Sequence, residues 1–255
     1  MAINRHFANT HLAEMVDISE GRVLKTSYIH KFGRNPSVGG APETIWTQGG
    51  IYTYLTSPST VYVSSDNGND AAGGTGARTV TVQGLDVNYN NVEETLTVGG
   101  SASTVEFLRV FRAFVVDAGS SGTNIGDVLV STGAGGTGTV LADIGTIGIG
   151  TTFGLGQTQL SLYTIPARCT GYLTTWNVGI GSYNSSATVL LYTRAHGSGD
   201  LGFRARDIMD VPGGYHTRNY GIPIQIPEKT DIEIRAIAST GTTISSSFDL
   251  ITVRK

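Results

Sequence analysis

Asp231-Ile232-Glu233-Ile234-Arg235-Ala236-Ile237-Ala238 alternates polar and apolar side chains without a break, the period-2 pattern of a strand with one face in a core. It predicts Ile232, Ile234, Ala236 and Ala238 inside, with Asp231, Glu233 and Arg235 facing water. A slip of one residue would bury the charges, so the register is tightly specified. Similar segments surround it at sandwich-like spacing: Gln159 to Ile165, Gly171 to Ile180, Ala187 to Arg194, Gly202 to Met209, Tyr215 to Tyr220, Ile222 to Ile226, and Ser246 to Val253. With about eight strands, residues 151–255 read as a jelly-roll-like antiparallel β domain.

Upstream, Ile51 to Leu55, Thr60 to Val63, Thr79 to Val82 and Glu94 to Val98 alternate as half-buried antiparallel strands do. Phe107 to Val116 is apolar on both faces apart from Arg109 and Arg112, which predicts a central strand. Val128 to Val130 and Thr139 to Ala142 complete about seven strands, and a β-sandwich over residues 41–150 closes that set economically. Gly145, Gly148, Gly150, Gly154 and Gly156 place a linker or tight crossover at the boundary. The fold class is therefore all-β, an N-terminal arm (1–40) followed by a sandwich and a jelly roll.

The first forty residues read differently. Asn9 or Thr10 caps a short helix with Leu12, Met15 and Val16 on one side, Ile18 near its end and Gly21 as its stop. Such a helix is too short to persist alone. Two readings stand: an arm that orders on a neighbouring subunit, or a terminus packed on its own domain. The arm reading makes Phe7, Leu12, Met15, Val16 and Ile18 the partner-binding residues.

The chain has 255 residues, 35 of them glycine, a net charge of -3 and only 15% charged residues. Clustered Lys and Arg suited to phosphate tracking are missing, so no direct nucleic-acid partner is expected. Cys169 is the only cysteine, which excludes an intramolecular disulfide. The N-terminus lacks the apolar run of a secretory signal and no stretch is long enough to span a membrane, so neither direct secretion nor a membrane partner is expected.

Motifs for catalysis are equally scarce. Asp66-Asn67-Gly68-Asn69-Asp70 offers oxygens like a calcium loop, but Ala71 and Ala77 occupy the positions where an EF-hand needs glycine and glutamate; a solvated turn explains it. Gly73-Gly74-Thr75-Gly76-Ala77-Arg78 lacks the ending of a P-loop, and Arg78 reads as an anchor for a carboxylate or neighbouring carbonyls. No nucleophile elbow or zinc-protease pair occurs, Cys169 reads as a small buried hydrophobe, and Glu43, Glu93, Glu94 and Glu106 show no sign of converging. No catalytic residue, cofactor or metal ligand is nominated. Trp46, Tyr52, Tyr54 and Tyr62, and Tyr163, Tyr172, Trp176, Tyr183 and Tyr192, read mainly as core, with glycan or protein contact as the alternative. The basic stretch from Arg194 to Arg218 reads as a salt-bridged edge, with an acidic patch on a partner subunit as the alternative.

Phe32-Gly33-Arg34-Asn35-Pro36, Glu43-Thr44-Ile45-Trp46 with Gly49-Gly50, Gly74 to Val80, Gly84-Leu85-Asp86, Leu108-Arg109-Val110, Gly122 to Asp127, Tyr163 to Ala167 and Lys229 to Ile234 carry a resemblance. Together they resemble a family of virion structural proteins of tailed bacteriophages, especially podoviruses of aquatic bacteria. Arg168 departs from the glycine or lysine expected after Pro166-Ala167. The resemblance implies a non-enzymatic capsid decoration or cement protein on the outer capsid surface, assembled in the bacterial host cytoplasm. It also implies the major capsid protein as partner and a homo-oligomer, with a trimer preferred. The alternative is a tail or head-fibre adhesin for host-surface glycan or protein, with Trp46 and Trp176 as the aromatic contacts; an enzyme acting on surface polysaccharide comes third.

Overall fold

The structure is a computed structural model that describes residues 10–149, 151–196 and 202–255. Helix α1 (Thr10–Ser19) precedes β1 (Thr26–Val38) and the short β2 (Glu43–Thr44). Then come β3 (Tyr62–Ser65), β4 (Ala77–Leu85), β5 (Asn91–Thr97), β6 (Arg109–Ala118), β7 (Val128–Ser131) and β8 (Val140–Ile144). The pair β9 (Thr146–Ile149) and β10 (Thr151–Gly154) follows. The remaining strands are β11 (Leu162–Thr164), β12 (Cys169–Ile180), β13 (Ala187–Ala195), β14 (Arg204–Val211), β15 (Gly214–Ile226), β16 (Thr230–Ala238) and β17 (Thr242–Arg254). The protein is all-β, with only antiparallel pairings between these strands.

Two sheets, β1-β17-β12-β15 and β11-β16-β13-β14, form an eight-stranded jelly roll, with β2 added beside β11 on β16. Its core is made by the inward rows, including Ile232, Ile234 and Ala236 of β16, Trp176 and Val178 of β12, and Phe248 and Leu250 of β17. The expected strand count was right and the membership was not. Tyr215 to Tyr220 and Ile222 to Ile226 are one bulged strand, β15, and the eighth strand is β1 from the supposed arm.

The jelly roll is thus discontinuous in sequence. Its first strand pairs from Thr26↔Val253 to Val38↔Thr242, so residues 26–38 are packed on their own chain. The chain leaves after β2 and returns at Leu160, which bridges directly to Trp46. Between those points lies an inserted sandwich of two three-stranded sheets, β5-β4-β6 and β3-β7-β8, around Val61, Val80, Val82, Phe107, Val130 and Ile144. Within it β4, not the run starting at Phe107, is central. The second apolar side of β6 serves another purpose, because Phe111 packs on Tyr163 of the jelly roll with ring centroids 4.9 Å apart. Ile51 to Leu55 is not a strand, and the glycine-rich stretch at the expected boundary forms the β9/β10 pair.

Two backbone positions explain local sequence choices. A Cβ on Gly33 would lie 2.3 Å from Ile45 O and 2.4 Å from Ser161 N, so β1 reaches the opposite sheet only because this residue is glycine. Arg168 has φ of 60°, a left-handed turn conformation that glycine adopts more readily, which is the geometry its departure from the family pattern had obscured. Removing β1 would strip β17 of its ladder partner. A chain lacking residues 1–24 should therefore keep a cooperative thermal transition close to that of the full chain. One lacking residues 1–40 should lose it, as checked by calorimetry.

Candidate functional site: a buried charge seam

The polar face of β16 does not meet water, contrary to its sequence pattern. Asp231 and Glu233 are fully buried and Arg235 is half-buried, because the inserted sandwich sits on that side of the sheet. The cover is supplied by Arg109 from β6 and by the irregular Tyr52–Tyr54 stretch.

Asp231 is the centre of this seam. Its Oδ1 accepts from Arg109 Nε at 2.9 Å and from Thr164 Oγ1 at 2.7 Å. Its Oδ2 accepts from Arg194 Nη2 and from His196 Nε2, each at 2.7 Å. The same His196 Nε2 lies 3.1 Å from Arg109 Nη2. Burial by itself would raise the Asp231 pKa, but the bonds from His196 and the charges of Arg109 and Arg194 hold it well below the usual carboxylate range. Glu233 takes a two-pronged pair from Arg235, at 2.7 and 3.0 Å, and a hydrogen bond from Thr44 Oγ1 at 2.6 Å.

Three guanidiniums therefore face two carboxylates, and aromatic faces take up the excess cation. Arg194 lies 4.3 Å from the Tyr54 ring and 4.4 Å from Phe203, Arg109 lies 5.0 Å from Tyr54, and Arg235 lies 4.5 Å from Phe203. Each such contact is worth about 0.5–2 kcal/mol, more as water is excluded. Tyr52 locks the other end, stacked edge-on against Trp46 and Tyr54 and donating its hydroxyl to Leu141 O. A second joint is Lys31 of β1, whose buried ammonium donates to Phe111 O. Burial, with Arg112 adding to it, lowers its pKa to about 7.

The guanidiniums and carboxylates of the seam are paired with one another or faced by aromatic rings, and the arrangement fixes two β units in one orientation. Sequence reading missed Asp231, Glu233 and His196 as seam members. The available signal was Arg109, a charge inside an otherwise apolar strand, which needs a buried counter-ion.

The nominated residues lie elsewhere. Phe7 is outside the described residues, Leu12 lies on α1, and Met15, Val16 and Ile18 are half-buried on the same helix. Trp46 and Trp176 are buried, so neither is an exposed aromatic contact. Asp70 is buried and accepts from Ala77 N, Gly126 N and Ser65 Oγ, which holds its loop together. Arg78 donates to Gly74 O and lies 3.8 Å from Asp117. Glu43 and Glu94 hold separate turns through backbone N–H groups. Cys169 is half-buried beside a cleft of about 580 Å³, not sealed in a core, and burial pushes its thiol pKa up, away from the nucleophilic thiolate. The basic stretch divides, Arg194 entering the seam and Arg218 lying 3.4 Å from Asp207.

No protein-family model matches the chain, and no curated protein matches it. Among solved structures it is weakly similar to that of infectious bursal disease virus Gx strain, at 12% identity over 90% of this chain and 72% of the other, with a TM-score of 0.26. The Gt strain structure gives 13% identity over 90% and 73%, with a TM-score of 0.24. The VP2 subviral particle of the same virus gives 11% over 90% and 73%, with a TM-score of 0.23. These are viral capsid structures, and at such scores the likeness carries no argument.

Replacing Asp231 with Asn should cost about 3–5 kcal/mol in urea unfolding, because Arg109 and Arg194 are left buried without a counter-charge. Adding Arg109→Met to that variant should recover part of the loss. A second group tests the opposite sign. Burial raises the Asp143 pKa from its ordinary 3.8 to about 6, and its Oδ1 has no hydrogen-bond partner. The native state holds the extra proton between those values, so stability falls as pH rises through that window and the cost is complete above it. Asp143→Asn, which keeps the acceptor for Gln48, should stabilise the protein by about 1–3 kcal/mol at pH 7 and by little at pH 3.5.

Proposed function

We propose that this chain is a non-enzymatic virion structural protein, a capsid decoration or cement protein that bridges neighbouring major capsid protein subunits from outside the shell. The observation that carries the reading is the apolar N-terminal segment in front of β1. Met15, Val16 and Ile18 are half-buried on α1, while Val23 and Leu24 project from the connection, Leu24 with 89% of its surface exposed. Apolar groups gathered in one short segment, with Val23 and Leu24 exposed, suit a protein contact.

The rest of the molecule fits that task. A clamp on a shell under internal pressure must transmit load without yielding; continuous ladders stiffen each β unit, and the charge seam joins the two. The resemblance of segments across residues 32–253 to phage virion proteins supports the same reading, with a homotrimer as the preferred assembly. Among the described residues no helix is long and apolar enough to cross a membrane. Contact through one interface of about 1,600 Å² per subunit, or several smaller ones linked by oligomerisation, would hold it in place.

Purified protein mixed with undecorated shells of the host phage should bind saturably, at a fixed ratio to capsid subunits, and raise the temperature at which shells open. Leu24→Asp with Met15→Asp should weaken that binding about ten-fold or more while leaving the melting of the free protein nearly unchanged. Failure to bind any capsid form would overturn the reading. The adhesin alternative loses Trp46 and Trp176 as contacts and would need a different surface.

A further inference from the structure

Among the described residues no domain covers the outer face of the β1-β17-β12-β15 sheet, and its side chains form cross-strand rows set by the ladder register. Phe32, Ser247, Asn177 and Thr217 make one row. Arg34, Ser245, Gly179 and Tyr215 make the next. The alternate residues Trp176, Val178, Ile244 and Phe248 are buried, which turns these rows outward. A groove of about 260 Å³ runs over them, with Gln159 at its margin.

The two ends of the groove are aromatic and its floor is polar. Phe32 and Tyr215 stand on strands three steps apart, about 14 Å at ordinary strand spacing. Tyr215 is 68% exposed. Between them a Cβ on Gly179 would come within 2.8 Å of Ser245 Oγ, so glycine keeps the floor low. Asn177 Nδ2 donates to Ser247 Oγ at 3.1 Å, which leaves the amide oxygen of Asn177 available as an acceptor.

Two groups lack partners that the fold would normally supply. Gln159 Oε1 is buried with no hydrogen-bond donor. The Arg34 side chain makes no hydrogen bond or ion pair among the described residues. The carboxylate of this face, Asp249, lies four residues along β17 from Ser245, about 13 Å away by strand rise. It already accepts from Tyr28 Oη at 2.5 Å and lies 2.7 Å from His30 Nδ1. Arg34 therefore keeps a positive charge with no partner among the described residues, in a groove where His30, which also lines it, is held by Asp249.

A fitting ligand must present C–H faces to Phe32 and Tyr215, hydroxyl groups to Asn177 and the serines of the floor, and one anionic group to Arg34. A nucleic acid would call for several cations, and an extended peptide would add along the free edge of β15 and leave the four-strand floor uncovered. We propose that this groove binds an acidic saccharide, its sugar rings laid across the four strands and its carboxylate on Arg34. The site is argued from its own geometry and stands whether the chain sits on a shell or a fibre.

Titration of the full chain by saturation-transfer NMR and calorimetry, with a galacturonate tetrasaccharide, sialyllactose, lactose and a short polyaspartate as probes, tests the assignment. At least one of the two acidic saccharides should bind more tightly than lactose and polyaspartate. Arg34→Gln and Tyr215→Ala should each weaken that binding about ten-fold, while Phe153→Ala, on the inserted unit, leaves it unchanged; melting temperature confirms that all three remain folded. Four results would overturn the proposal: no saccharide bound at millimolar concentration, equal binding by the Arg34 and Tyr215 variants, polyaspartate bound as well as the acidic sugars, or a self-association lost in Tyr215→Ala with no sugar bound.

Discussion

Asp231 is the residue on which the arrangement of the two β units depends. Its carboxylate stands on the jelly roll, and one of its guanidinium partners, Arg109, comes from the inserted sandwich. An ion pair removed from water gains little net stability over an apolar contact, but a pair with one member missing is strongly unfavourable. The consequence is geometric. Any sliding of the insertion across the sheet would separate Arg109 from Asp231 and leave both charges stranded, so the seam specifies orientation more than it adds stability. Tyr54, between Arg109 and Arg194, serves the same end by giving two like charges a shared electron-rich face.

Strand periodicity made most of the fold legible, and it misled where a second layer of structure intervened. In β16 the alternation correctly grouped Ile232, Ile234 and Ala236, yet it assigned Asp231 and Glu233 to solvent because a two-residue period reports which side chains share a face and says nothing about what covers it. Ile51 to Leu55 shows the complementary error: Tyr52 and Tyr54 alternate as in a strand, but they alternate to fill the seam, with no ladder beside them. Trp46 and Trp176 are core residues that composition could not separate from exposed aromatics. The groove around Arg34 and Tyr215 was illegible for another reason, since its members come from four strands that meet only through the register.

The discontinuity of the jelly roll was hidden by sequence distance. Tyr28 and Asp249 hydrogen-bond across 221 positions, and no local pattern announces such a pairing. Bringing the edges together through a long flexible loop would cost entropy that grows with the logarithm of loop length. The bridge from Trp46 to Leu160 reduces that cost, because the insertion's two ends meet at the seam and a folded insertion spans the gap as a rigid unit. This places the sandwich and its Tyr52 lock ahead of β1 in any economical order of assembly, with the β1/β17 ladder closing last.

The same insertion makes the two outer faces of the jelly roll unlike each other. On the β11-β16-β13-β14 sheet the polar row carries Asp231, Glu233 and Arg235, residues able to pay for burial only by pairing, and the insertion supplies that pairing. On the opposite sheet the corresponding outward rows carry Ser245, Ser247, Asn177 and Thr217, neutral groups that remain hydrated without a partner. Three groups depart from that pattern: Asp249 is paired with Tyr28 and His30, the Arg34 side chain has no partner among the described residues, and Gln159 Oε1 is buried and unsatisfied. Within that hydrated surface the unpaired Arg34 sets a polarity, cationic at the β1 edge and aromatic at the β15 edge, where Tyr215 stands exposed.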